Sequence, residues 1–252
     1  MEYKAFAVTN VGKVRTNNED TYTVTERDGF FLVADGMGGH KAGEVAAAMT
    51  RDIIAEKLSQ TKGATDLENQ IRSAFQAANE QVHSKARKGT GCEGMGCTCV
   101  SLMLREQNFY MAHVGDSRAY LLRKGELKQM TRDHSYVEEL FIRGLISEEE
   151  KVDHPYKHQI TRYVGCTSKI EVDITSGPVW NGDLFMLCSD GLSEMVPFNR
   201  IQEICSAAQE ANEIAEALVQ EALNNGGKDN VTVVVVQVTS KKTSFFRKIL
   251  GW

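Results

Sequence analysis

Apolar and polar positions change period several times along this chain, and each change marks an element. Residues 3–10, YKAFAVTN, mix alternation with apolar positions and read as a strand ended by Gly12. TYTVTE, from Thr21 to Glu26, alternates with period two, and Asp28-Gly29 supplies a hairpin turn. The run from Phe30 to Ala34 is apolar throughout, which predicts a buried strand. It stops on Asp35, and Gly36, Gly38 and Gly39 follow at once. Val45, Met49, Ile53, Ile54 and Leu58 then recur at helical spacing and predict a helix from Ala42 to Leu58. Leu67, Ile71, Ala74, Phe75, Ala78 and Val82 predict a second helix, opened by a Thr65–Glu68 capping box and closed by the basic stretch Lys85 to Lys88.

Residues 97–105, 108–116 and 117–130 read as a meander of antiparallel strands, with Lys124-Gly125 as one turn. From Tyr136 to about Ser168 the periodicity weakens, which predicts an irregular insertion beside a site. Strands resume over 170–176 and 183–189. Ala211, Ile214, Ala215, Leu218 and Ala222 mark a late helix. VTVVVVQV, 231–238, is an unbroken β-branched run and predicts an internal strand covered on both faces. Strict alternation of strand and helix is absent. The expected class is α+β, a layered domain with two mostly antiparallel sheets.

Composition adds limits rather than a function. The 252 residues are 42% hydrophobic and 25% charged, enough for a sizeable core. A net charge of −5 argues against a nucleic-acid binder built on phosphate contacts. The six cysteines are scattered and read as reduced core residues of a cytoplasmic protein, with no zinc spacing around Cys92, Cys97 and Cys99. No apolar stretch approaches the roughly 18 residues of a membrane span, and no secretory leader is expected. The tail 241–252 is basic with several large apolar residues. A short frayed end is preferred to contact with a membrane surface. GTGCEG (89–94) has dinucleotide-motif spacing in the wrong context, and GGHKAGE (38–44) has Glu44 where a phosphate-binding loop needs lysine.

The candidate chemistry lies in the acids. Asp35, Asp116, Asp190 and Asp229 all sit at strand ends. Carboxylates converging on one place repel each other unless cations neutralise them. Hard oxygen ligands suit Mg2+ or Mn2+, and a pair of such ions roughly 3.5–4 Å apart activates water and clamps a phosphoryl oxygen. Arg15 is the candidate to hold the phosphate. The expected reaction is hydrolysis of a phosphate ester, with no covalent nucleophile.

Seven segments carry a family resemblance: RTNNED (15–20), VADGMGGH (33–40), GCTCV (96–100), HVGDSRAY (113–120), TRDHS (131–135), CSDGL (188–192) and KDNVTVVVV (228–236). In this order they resemble the motifs of bacterial metal-dependent serine/threonine protein phosphatases of type 2C. The resemblance covers about residues 1–238. It implies a four-layer α-β-β-α sandwich and hydrolysis of phosphoserine and phosphothreonine in proteins by a metal-bridged water, reversing kinase signalling. It further implies that Asp35 bridges two metals and that the Gly36 carbonyl binds the second. Asp190 and Asp229 would complete the ligands of the first metal, and Asp20, with Glu19 a further candidate, would hold metal-bound waters. Asp116 with Asp190 would form the third metal site of bacterial members. Arg15 would bind substrate phosphate and Asn230 would support the ligands. The implied layout is a catalytic domain over 1–240, with a flap at about 136–168, in a cytoplasmic monomer. Its implied partners are phosphoproteins and a cognate kinase. Met37 stands where animal members carry histidine, so the general acid is open, with His40 a candidate. A phosphoprotein-binding module without catalysis would be expected to lose metal ligands. A nuclease would show histidine ligands and a basic groove.

Overall fold

The computed structural model describes residues 2–38, 42–61, 66–87, 89, 91–207 and 210–239. Gly39, His40, Thr65, Lys88 and the tail 241–252, all used above, lie outside the described residues. Glu2–Asn10 (β1) and Asp20–Thr25 (β2) are the first strands, and one 3-10 turn at Glu26–Asp28 leads into Phe30–Met37 (β3). Helices Ala42–Ser59 (α1) and Leu67–Lys85 (α2) follow. Next come Gly96–Cys97 (β4), Cys99–Arg105 (β5), Asn108–Val114 (β6), Arg118–Arg123 (β7) and Glu126–Gln129 (β8). The flap carries Tyr136–Ile142 (α3) and Glu148–Val152 (α4). The chain ends with Asp173–Pro178 (β9), Leu184–Cys188 (β10), Asp190–Ser193 (α5), Phe198–Ala207 (α6), Ala211–Asn224 (α7) and Val231–Thr239 (β11).

Two antiparallel sheets result. One has the order β1-β11-β10-β7-β8. The other has the order β2-β3-β5-β6-β9, with β4 pairing the far end of β3. Apolar runs without alternation make this possible, because each such strand must be covered twice. In β11, Val231, Val233 and Val235 face α5, α6 and α7, while Val234, Val236 and Val238 face the other sheet. In β3, Phe30, Leu32 and Ala34 face α1 and α2, and Phe31 and Val33 face inward. Three cores therefore separate four layers, the expected sandwich.

Several expectations are corrected. The expected meander is split: β5 and β6 lie in one sheet, β7 and β8 in the other. The crossing is at Gly115, whose φ of +106° suits glycine, and where a Cβ would lie 2.6 Å from the Thr98 side chain. Alternation identifies strands but not their neighbours, so it misses such a crossing. Helix α2 is capped by Asp66, which accepts from Asn69 N at 3.1 Å. Helix α1 buries Ala46, Ala47, Thr50, Ile54 and Leu58, and leaves Val45, Met49 and Ile53 half-buried, because the small residues allow close approach to β3. The flap is not wholly irregular, since Ser135 and Ser147 cap α3 and α4. The strand expected from 170 begins at Asp173, and α6 was not anticipated.

Phe185 is fully buried between the sheets, with its ring 5.4 Å from that of Phe109. Phe185→Ala should lower unfolding free energy by about 3–5 kcal/mol, read from the urea midpoint at unchanged slope.

Candidate metal centre

The strand ends that carry the acids meet at one edge of the sandwich. Asp35 in β3 lies across from Asp20 in β2. Thr98, between β4 and β5, locks Asp35: its N–H donates to the Asp35 carbonyl at 2.8 Å, and its hydroxyl accepts from Asp35 N at 3.2 Å. The Thr98 hydroxyl also bonds Ser117 at 2.6 Å, next to Asp116. At Gly36 the backbone passes so close to Gly43 that any Cβ would collide with its carbonyl. Asp190 opens α5 and Asp229 precedes β11. Strand β10, which runs into α5, and β11 both lie in the other sheet, so the acids come from both sides of the sandwich.

These carboxyl groups are held in an unfavourable state. Burial, then repulsion from Asp20, Asp190, Asp116 and Asp229, pushes Asp35 well above the usual carboxylate range. Asp190 is raised in the same direction by burial, then by Asp116, Glu194, Asp229 and Asp20. Burial also lifts Asp20 to about 6, and burial with the nearby Asp133 lifts Asp116 to about 7. One oxygen each of Asp20, Asp116 and Asp190 is buried with no hydrogen-bond partner among the described residues. Buried acceptors are normally satisfied, and an orphaned carboxylate oxygen costs still more. Hard oxygens, crowded, desolvated and short of donors, are the ligand set a divalent cation fits.

The sequence candidates divide by position. Asp20 lies behind the others, its second oxygen held by Ser189 at 2.8 Å and Thr232 at 2.7 Å. Arg15 is half-exposed and pairs with Asp229 at 2.6 Å. Asn230 ties three segments: it accepts from Glu19 N at 2.8 Å and donates to the carbonyls of Val11 and Asn17 at 2.9 Å each. Glu19 is half-buried, and its carboxylate accepts from Asn17 at 2.9 Å. His40 lies outside the described residues. Cys97 and Cys188 stay inert, as burial pushes their thiols up to about 12.

Arg15, Glu19, Asp35, Gly36, Asp190, Asp229 and Asn230 line a cavity of about 830 Å3. Asp116 instead lines an adjoining groove of about 670 Å3 beneath the flap, which Asp190 also borders. Sequence reasoning missed the anchors Thr98, Ser117 and Thr232, whose only signal is a hydroxyl within an apolar strand or beside an acid. It also missed a second cluster, in which ligand atoms of His113, His134 and Asp173 lie within 4.8 Å of one another. Arg162 already supplies a cation there, 2.7 Å from Asp173 and 3.2 Å from His134 Nε2. Gly115 N donates to His134 Nδ1 at 3.0 Å, and burial holds that ring neutral, with a pKa of about 4.

A family profile described as Protein phosphatase 2C matches residues 7–141. The chain belongs to the protein phosphatase 2C family. Among the similar proteins is the serine/threonine phosphatase stp of Listeria welshimeri, 37% identical over 235 residues, which are 91% of this chain and 93% of that protein. The serine/threonine protein phosphatase PstP of Mycobacterium tuberculosis is 38% identical over 227 residues, 90% of this chain and 43% of that longer protein. The crystal structure of PstP superposes with a TM-score of 0.89 at 36% identity, covering 95% of this chain and 100% of the solved one. A structure of the PstP catalytic domain in complex with two manganese ions superposes at 0.86 and 36% identity, over 95% and 99% of the two chains. As a protein phosphatase 2C, this chain is a metal-dependent serine/threonine phosphatase that uses Mn2+ or Mg2+. No described helix is long and apolar enough to cross a membrane.

The raised carboxyl groups fix the sign of a pH effect on the metal-free protein. Asp20 and Asp116, at about 6 and about 7, bind protons more tightly folded than unfolded, where the ordinary value is 3.8. Their contribution to stability is present at low pH and is lost as pH rises toward about 7. EDTA-stripped protein should melt several degrees higher at about pH 5.5 than at about pH 8. Added Mn2+ should raise Tm most at the higher pH, where the ligands are deprotonated. A Tm that climbs with pH in EDTA would contradict this account of the acids.

Proposed function

We propose that this phosphatase dephosphorylates phosphoserine and phosphothreonine in cytoplasmic proteins, opposing a serine/threonine kinase. Residues 1–240 would act as one monomeric catalytic domain, with 136–168 as its flap and 241–252 as a basic tail. The observation that carries the reading is the set of buried carboxylate oxygens without donors on Asp20, Asp116 and Asp190, beside the strongly raised Asp35.

In this reading Asp35, the Gly36 carbonyl, Asp190 and Asp229 would hold two ions. Asp20 and Glu19 would act through waters, and Asp116 with Asp190 would offer a third position. When bound, the ions lower the pKa of water toward neutrality and offset charge on the phosphoryl oxygens. The chain supplies the rest. Thr98 and the collision-tight Gly36 fix the Asp35 turn so that its carboxylate does not swing away. Asn230 anchors the loop that carries Asp229 to the segment that carries Arg15. The Arg15 guanidinium, now paired with Asp229, would turn its fork to two phosphate oxygens if Asp229 were taken up as a ligand. Met37 has no proton to give, so the leaving alkoxide is protonated by another group or by solvent.

Two variants test these roles on a phosphothreonine peptide, assayed with Mn2+ and again with excess EDTA. Asp35→Asn should cut turnover by at least about a hundredfold. It should also leave the metal-free fold no less stable, because it removes a buried charge. Turnover near that of the unsubstituted chain would exclude Asp35 as the bridging ligand. Arg15→Ala should raise KM about tenfold with little change in Tm, since a charged hydrogen bond to phosphate is lost. An unchanged KM would assign phosphate binding elsewhere.

A further inference from the structure

The cavity over the acids and the groove beneath the flap share five wall residues, His158, Asp190, Glu194, Met195 and Lys228, so they form one continuous depression. Charge and polarity are unevenly distributed along it. His158 pairs with Glu194 at 2.9 Å where the two meet. Deeper in the groove each basic side chain is already engaged. Arg118 bonds Asp133 and Arg132 lies 3.6 Å from Glu138. Lys151 reaches Glu138 at 2.7 Å and Glu148 at 2.9 Å, and Lys157 donates to the Val152 carbonyl. Lys228 differs: it is exposed, stands at the junction, and has no hydrogen bond or ion pair among the described residues. Beyond it the groove presents large apolar side chains that remain in contact with water: Phe141 at 37%, Phe198 at 46% and Val152 at 64% exposure. Water-exposed apolar side chains gathered in one depression mark a binding surface.

We propose that this groove seats the stretch of substrate polypeptide that flanks the phosphorylated residue. It would select an acidic side chain beside that residue, held by Lys228, and a bulky apolar side chain one step farther, against Phe141 and Val152. The inference rests on the phosphatase reading above. The occupant is a polypeptide because the groove opens directly from the phosphate cavity. A substrate chain whose phosphorylated side chain reaches the acids must leave along one of its walls. The unpaired cation and the exposed apolar side chains then set which neighbours are favoured. An exposed pair at Lys228 gives preference rather than strong affinity, since such pairs are weak and salt-screened.

The test measures kcat/KM with Mn2+ on phosphothreonine peptides in three sets. One carries alanine on both sides. The second places glutamate next to the phosphothreonine on either side. The third adds leucine beyond the glutamate. In the unsubstituted chain glutamate should raise kcat/KM roughly threefold, and Lys228→Glu should lower the glutamate-to-alanine ratio about tenfold, because attraction becomes repulsion. High salt should compress the same ratio. Val152→Ser, at a site exposed enough to leave folding intact, should remove the gain from leucine but not the gain from glutamate. Equal losses on all peptides, or unchanged ratios, would overturn the inference while leaving the phosphatase reading in place. No phosphate release from any peptide by the unsubstituted chain would overturn that reading and this inference with it.

Discussion

Mutual repulsion among carboxylates is the constraint that organises this molecule. Asp35 and Asp20 enter from one sheet, Asp190 and Asp229 from strands of the other, and Asp116 from the link between them. Left to themselves such groups would separate or take up protons, and burial with like charge does raise them. They stay together because the scaffold behind them cannot relax. The inter-sheet core of Phe31, Val33, Leu187, Val234 and their neighbours is fully buried on both sides. Stability from the three cores holds a site that is itself destabilising, and a divalent cation relieves the strain it meets there.

Hydroxyl and amide groups turn that crowding into defined geometry. Ser189 and Thr232 fix one oxygen of Asp20 and leave the other bare. Thr98 holds the backbone of Asp35 and reaches Ser117 beside Asp116. Asn230 joins the loop after Val11 to the strand that begins at Val231. Neighbours of this kind position the ligands, so that each acid presents an oxygen without freedom to swing toward solvent.

Much of the site was legible because Asp35 and Asp190 follow apolar runs and Asp229 stands just before one. A carboxylate at the end of a buried strand is unusual, and several of them together point to one site. The layered class was legible too, since the VTVVVVQV run must be covered on both faces. What the sequence hid was non-local. The Gly115 crossing assigns β6 and β7 to different sheets through one residue with a left-handed backbone and a close contact to Thr98. Local alternation is identical on either side of it. Arg162 meets His134 and Asp173 only after the flap closes back on the sheet. The cap at Asp66 was hidden too, because helix starts read from sequence are uncertain by a residue or two.

Among the described residues strand β1 pairs only with β11, Glu2 opposite Thr239 and Asn10 opposite Val231, so residues 2–10 must wait for residues 231–239. On the ribosome the sheet holding β2, β3, β5, β6 and β9 has all its strands once Pro178 has emerged. The partner sheet has neither its second strand nor Asp229 until residues 229–239 have emerged. Pairing across so long a span is slow, because loop closure precedes any gain from contact. A nascent chain of this protein thus passes through a period in which one sheet exposes its inner face, and the crowded acids assemble only once β11 has been made.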